Sequence, residues 1–138
     1  MRRILLVEDE PVNVKLISRL LERKGGYEVR HSENPDEILS LAASGEYALV
    51  VMDVSLAASI YQGRPINGLE LTRLLKRDPL TASLPVILAT AHTMKGDREN
   101  FLAESGADDY VGKPITDFDG FLRLVAGHIE RTNGNGGG

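Results

Sequence analysis

A chain of 138 residues that is 42% hydrophobic and 26% charged fits one globular domain with a sizeable core and leaves no room for a second. Sixteen basic against twenty acidic residues give a formal charge of −4 with no basic block, so the electrostatic attraction that drives nucleic-acid binding is not supplied and no direct nucleic-acid partner is expected. The absence of Cys excludes disulfides and thiolate chemistry; no run approaches the roughly 20 apolar residues of a membrane span, the apolar stretch 4–7 is too short for a signal peptide, and a cytoplasmic location is expected.

Ile4-Leu5-Leu6-Val7 is a short continuous apolar run ended by Glu8, Asp9 and Glu10, the pattern of a strand buried on both faces. After Pro11, apolar residues at 14, 16, 17, 20 and 21 recur at helical spacing, and Lys24-Gly25-Gly26 supplies a basic last turn and a stop. Residues 27–31 alternate weakly and predict a second strand. Asn34-Pro35-Asp36-Glu37 then offers an N-cap, a proline at the first helical position and an acidic first turn, for a helix reaching about Ser44.

Ala48-Leu49-Val50-Val51-Met52 is a second fully apolar run and delivers Asp53 at its carboxyl end. Residues 69–76 predict a helix, Pro85-Val86-Ile87-Leu88-Ala89 a strand delivering Thr90, and about 96–104 a helix stopped by Gly106. A shorter strand, Asp109-Tyr110-Val111, leads to Lys113-Pro114, and a last helix is expected over about 118–130. Five strands alternating with five helices argue for an α/β (βα)5 domain, a parallel sheet covered on both faces through right-handed crossovers. Residues 1–131 are assigned to this domain, and the TNGNGGG segment 132–138, with nothing apolar to bury, is expected to be a flexible tail.

Ligands in such sheets bind at the carboxyl ends of the strands. There the alternation delivers Glu8, Asp9, Asp53, Thr90 and Lys113, the groups that a Mg²⁺-assisted phosphoryl transfer needs. Magnesium prefers oxygen ligands, a carboxylate is a competent nucleophile toward phosphorus, and a Lys ammonium offsets charge on the transferring oxygens. Taken singly, the acidic triplet is more simply the favourable start of a helix, and Lys113-Pro114 a loop ending. The ordered set, each member at a strand end, carries the inference. His31, His92 and His128 lie on different elements and give no metal site or triad.

These residues also carry a resemblance. LLVEDEP at 5–11, VVMD at 50–53, ATA at 89–91 and GADDYVGKP at 106–114 resemble receiver domains of two-component response regulators, over about residues 3–130. The resemblance implies a doubly wound, flavodoxin-like sheet in the order 2-1-3-4-5. It implies Glu8 and Asp9 as the acidic metal pair, Asp53 as phosphoacceptor and metal ligand, and Ser55 as the donor of a backbone carbonyl to Mg²⁺. Thr90 matches the switch hydroxyl, Lys113 the phosphate-binding lysine and Tyr110 the aromatic switch; Ser55 and His92, two residues after Asp53 and Thr90, match positions that tune dephosphorylation. The implied partners are a histidine kinase or a histidine phosphotransfer protein and a downstream protein target, with a phosphorylation-dependent dimer compatible with the pattern. The output surface would be the fourth helix, fifth strand and fifth helix, about 96–130.

The sequence departs from the family at Leu56 and Ala57, where Met-Pro is common, and its comparable glycine is Gly68, so the intervening loop is longer. That loop is expected to tune access or partner choice. A haloacid-dehalogenase-like phosphatase, the rival enzyme reading, usually has a second Asp two residues after its nucleophile; Ser55 stands there and argues against turnover of a substrate. A pseudo-receiver used only for binding is the third reading, and the intact acidic, hydroxyl and ammonium set argues against it.

Overall fold

The computed structural model describes residues 2–56, 59–91 and 93–136. Its main sheet has five parallel strands: β1 (Arg3–Val7), β2 (Glu28–Ser32), β3 (Leu49–Asp53), β6 (Val86–Thr90) and β7 (Asp109–Gly112), in the order β2-β1-β3-β6-β7. In the sheet's own count this is 2-1-3-4-5, the doubly wound order expected. β4 (Ile60–Tyr61) and β5 (Arg64–Pro65) form a separate antiparallel hairpin inside the long loop.

The strands that read as continuous apolar runs are the ones buried on both faces. Every residue of β3 and of β6 is buried, as are Ile4, Leu5, Leu6 and Val7 of β1. Alternation along each strand sends side chains to two cores. Leu5, Val7, Val50, Met52, Val86 and Leu88 meet α2 (Pro35–Ala43), α3 (Gly68–Arg77) and α4 (Asp97–Ser105) on one face. Ile4, Leu6, Leu49, Val51 and Ile87 meet α1 (Pro11–Arg19) and α5 (Phe118–Gly136) on the other. Each fully buried Leu, Ile or Val contributes roughly 1.5–3 kcal/mol relative to exposure, which is what pins the strand register and therefore the position of each strand end.

The helix signals act as the sequence suggests. Asn34 accepts from the Glu37 N–H at the start of α2, and Asn67 with Glu70 makes a reciprocal capping box at the start of α3. Helix α1 widens into a π-helical turn, Leu20–Lys24, before the glycine pair, and Gly106 caps α4 in the left-handed conformation. Two features differ from expectation. Helix α5 continues to Gly136, beyond the expected end near Glu130, and the Thr132 hydroxyl donates to His128 O one turn back. The long loop holds a hairpin because Gln62 and Gly63, at φ 51° and 77°, supply the consecutive left-handed residues of a two-residue turn.

Candidate functional site

The parallel register aligns the ends of β1, β3, β6 and β7 on one edge of the sheet. Val7 pairs with Met52, Asp53 with Ala89 and Thr90 with Gly112. The residues just past or at those ends open onto a cleft of about 330 Å³. Glu8, Asp9, Asp53, Ser55 and Lys113 all line it, together with Asn13 and Ala91.

Glu8 and Asp53 are 1% and 3% exposed, an unusual depth for carboxylates. One carboxylate oxygen from each of Glu8, Asp9 and Asp53 lies within 4.8 Å of the others. Lys113 bridges the two buried acids, its Nζ donating to Glu8 Oε1 at 2.9 Å and to Asp53 Oδ1 at 3.0 Å. The backbone N–H of Ser55 also donates to Asp53 Oδ1, at 3.2 Å. The second oxygen of Glu8 accepts from the N–H groups of Asp9 and Glu10. The peptide bond between Lys113 and Pro114 is cis, and the Lys113 N–H donates to Thr90 O at 2.8 Å, fixing the lysine's backbone against β6.

Burial and the neighbouring Glu8 carboxyl push Asp53 up to about 7, against the pull of Lys113 toward the ionised form. Burial alone would lower Lys113, but hydrogen bonds and attraction from Glu8 and Asp53 outweigh it and hold the ammonium above its usual range. Among the described residues, Lys113 is the cation that bonds Glu8 and Asp53, so one ammonium is shared by two buried carboxyls. Closely spaced oxygen donors with surplus negative charge are what a hard divalent cation such as Mg²⁺ requires, so this donor set fits one.

The backbone beneath Asp53 is held by Gly68, whose N–H donates to Val54 O at 2.9 Å. A Cβ at position 68 would fall on the Asp53 carbonyl oxygen. This is the physical reason for the displaced glycine noted in the sequence: the first turn of α3 packs directly on the end of β3.

Of the residues singled out from sequence, Glu8, Asp9, Asp53, Ser55 and Lys113 come together in one cleft. Thr90 is buried at the end of β6, and its neighbour Ala91 lines the cleft. Tyr110 is half-buried on β7, its ring centroid 6.2 Å from that of Phe101 on α4; burial pushes its hydroxyl pKa up. His92 and Ala57 lie outside the described residues. Sequence reasoning missed Asn13, whose only signal is its place in the first turn after the acidic triplet. It also missed His31, whose Nε2–H donates to Glu8 O at 2.6 Å, a tether between β2 and the cleft that requires the folded chain to be seen.

Residues 4–124 match the response regulator receiver domain family. The chain belongs to that family. The polar-differentiation response regulator DivK of Brucella anthropi is 36% identical over 115 residues, spanning 83% of this chain and 86% of the relative, and that of Brucella ovis is similar to the same extent. Among solved structures, the receiver domain of a sensor histidine kinase from Pseudomonas aeruginosa PAO1 superposes with a TM-score of 0.77 at 31% identity, covering 94% of this chain and 98% of that one. That domain holds a magnesium ion in its active-site cleft. A response regulator from Chloroflexus aurantiacus superposes at 0.79 with 26% identity, over 94% of this receiver and 98% of its own chain. Among the described residues of this receiver, no helix is long and apolar enough to cross a membrane.

Proposed function

We propose that this receiver is a phosphorylation-dependent switch in which Asp53 accepts a phosphoryl group from the phosphohistidine of a histidine kinase or a histidine phosphotransfer protein. The observation that carries the reading is the clustering of three carboxylates within 4.8 Å around the one ammonium of Lys113. In the transfer, an Asp53 carboxylate oxygen forms a bond to phosphorus as the bond from phosphorus to the histidine nitrogen breaks, giving an acyl phosphate. Lys113, already 3.0 Å from Asp53 Oδ1, offsets charge on the transferring oxygens. Glu8, Asp9, Asp53 and the Ser55 carbonyl would hold Mg²⁺, which supplies charge neutralisation and a template for in-line displacement.

The phosphoryl group adds between about −1.5 and −2 charge units beside Lys113 and the end of β6. Contacts from Lys113 and the Thr90 hydroxyl to its oxygens, at roughly 1.5–3 kcal/mol each, compare with the roughly 5.5 kcal/mol that reverses a 1:99 equilibrium. Two such contacts supply about 3–6 kcal/mol, just enough at the top of that range to throw the switch. Tyr110 against Phe101 ties β7 to α4, so the surface that responds is α4, β7 and α5, where a downstream protein target binds. Residues 1–131 act as the receiver, residues 132–138 as its tail, and Ser55 with His92 tunes hydrolysis of the acyl phosphate. Incubation with acetyl phosphate and Mg²⁺, followed by intact-protein mass spectrometry, should show the gain of one phosphoryl group in the wild type and none in Asp53→Asn. Uptake by the variant equal to wild type would overturn the assignment.

A further inference from the structure

The hairpin β4–β5 and helix α3 enclose a groove of about 450 Å³ that shares no lining residue with the acidic cleft and is lined by none from α4, β7 or α5. The spacing of α3 explains the groove's chemistry. Leu69, Leu71, Thr72 and Leu75 are buried, while Glu70, Arg73, Leu74 and Arg77, at i, i+3, i+4 and i+7, form the stripe that lines the groove. Opposite them the hairpin contributes Tyr61, Arg64 and Ile66.

Three guanidiniums therefore converge in a chain whose formal charge is −4. Arg73 is already committed to Glu104, donating through Nε to its O at 3.0 Å and pairing with its carboxylate at 3.8 Å, which leaves Arg64 and Arg77 to carry the groove's charge. Arg64 and Arg77 are exposed and make no ion pair among the described residues. Glu70, whose carboxylate accepts from the Asn67 N–H at 3.4 Å in the capping box, is the one acid in the groove's lining, against the three guanidiniums. The half-buried Tyr61 and Leu74 provide the groove's apolar surface, over the buried Ile66.

The hairpin is held in place from both ends. Ile66 N–H donates to Ser59 O at 3.1 Å, and the Ser59 hydroxyl donates to Glu33 O, just before α2. A preformed groove loses less entropy on binding than one that must order first.

The geometry points to this groove as a docking site for an acidic protein segment that carries an apolar anchor residue: carboxylates pair with Arg64 and Arg77, and the anchor packs on Tyr61 and Leu74. The guanidinium fork matches carboxylates bidentately. An exposed guanidinium on each wall, Arg64 from the hairpin and Arg77 from α3, with Tyr61 and Leu74 also in the lining, suits a chain of separated carboxylates that carries an apolar residue. This gives the extended loop after Asp53 a function of its own, independent of phosphoryl transfer.

The test is an NMR titration of the full-length protein with a ten-residue peptide of alternating Glu and Leu, and with its Gln/Leu counterpart, at low and moderate salt. The Glu peptide should shift the amides of Tyr61, Arg64, Ile66 and Leu74 and leave those of Glu8 and Lys113 in place. Its affinity should fall at least about tenfold in Arg64→Glu/Arg77→Glu, whose folding is checked by its unperturbed spectrum outside the groove, and should weaken as salt rises. Equal binding of the Gln peptide, undiminished binding by the double variant, or no groove shifts at millimolar peptide would each overturn the proposal. So would ATP shifting the groove amides where the Glu peptide does not, which would make the groove a phosphate site. Asp53→Asn should bind the peptide as wild type does; loss there would overturn the groove's independence from the cleft.

Discussion

Asp53 and Asp109 are both poorly exposed aspartates on the same parallel sheet, yet their surroundings are opposite in kind. Asp109, at the start of β7, is surrounded by donors: His128 Nε2 lies 2.9 Å from Oδ2, Arg98 3.2 Å from Oδ1, and the Tyr110 N–H donates to Oδ1. Arg131 donates to the other ring nitrogen of His128, which leaves Nε2–H to face the carboxylate. Burial alone would raise Asp109, but His128, the Tyr110 N–H and Arg98 outweigh it and hold the carboxyl below its usual range. Asp53, with burial and Glu8 against it and Lys113 as its cation, is pushed the other way, to about 7. A buried acid saturated with donors holds a fold together. A buried acid left short of positive charge awaits a ligand, and this contrast separates the functional edge of the sheet from the structural one more sharply than burial does.

The largest expected effect comes from breaking that contrast at Asp53. Its folded pKa lies above the unfolded value, so the stability it contributes is present below about pH 4 and is lost as pH rises toward about 7. In metal-free buffer at pH 8, Asp53→Asn should therefore melt several degrees above wild type, with the gap closing by pH 4; a variant that melts lower at pH 8 would refute the excess of acid. At Asp109 the sign reverses. Asp109→Asn should destabilise by about 1–3 kcal/mol at neutral pH, because buried donors lose a charged acceptor. Its folded pKa is depressed, so this advantage of wild type exists above the unfolded pKa and fades as pH falls through the folded one. Denaturant melts from pH 7 down to pH 3 should show the two proteins converging.

Magnesium sharpens the comparison further. Binding to the native state alone stabilises by mass action, about 1.4 kcal/mol at ten times Kd. Wild type and Asp109→Asn should gain alike from millimolar Mg²⁺, whereas Asp53→Asn should gain less. Equal shifts in all three would place the ion outside the cleft.

How much of this was legible beforehand follows from which signals are local. The runs at 4–7, 48–52 and 85–89 announced strands because strands buried on both faces have no polar side to interrupt them, and the acids and Lys113 were legible because the alternation put them at strand ends. The hairpin β4–β5 was not legible: its strands are two residues each and mostly exposed, and only Gln62-Gly63 marks the turn. Helix α5 outran its expected end because Asn and Gly are weak helix formers, yet the backbone ladder continued through them. The Asp109 cluster was invisible because its partners come from α4 and α5, elements whose packing no local pattern specifies.

The smallest effect is the most discriminating about Asp109. If donor saturation is what lowers its pKa, no single donor should be indispensable. Arg98 is about half exposed where it meets Asp109, and a pair of that kind is worth at most about 1 kcal/mol. Arg98→Ala should therefore cost far less than Asp109→Asn, since His128 and the Tyr110 N–H still hold the carboxylate. An Arg98→Ala penalty as large as that of Asp109→Asn would mean that one cation, as at Lys113, carries the site, and the distinction between the two edges of the sheet would fail.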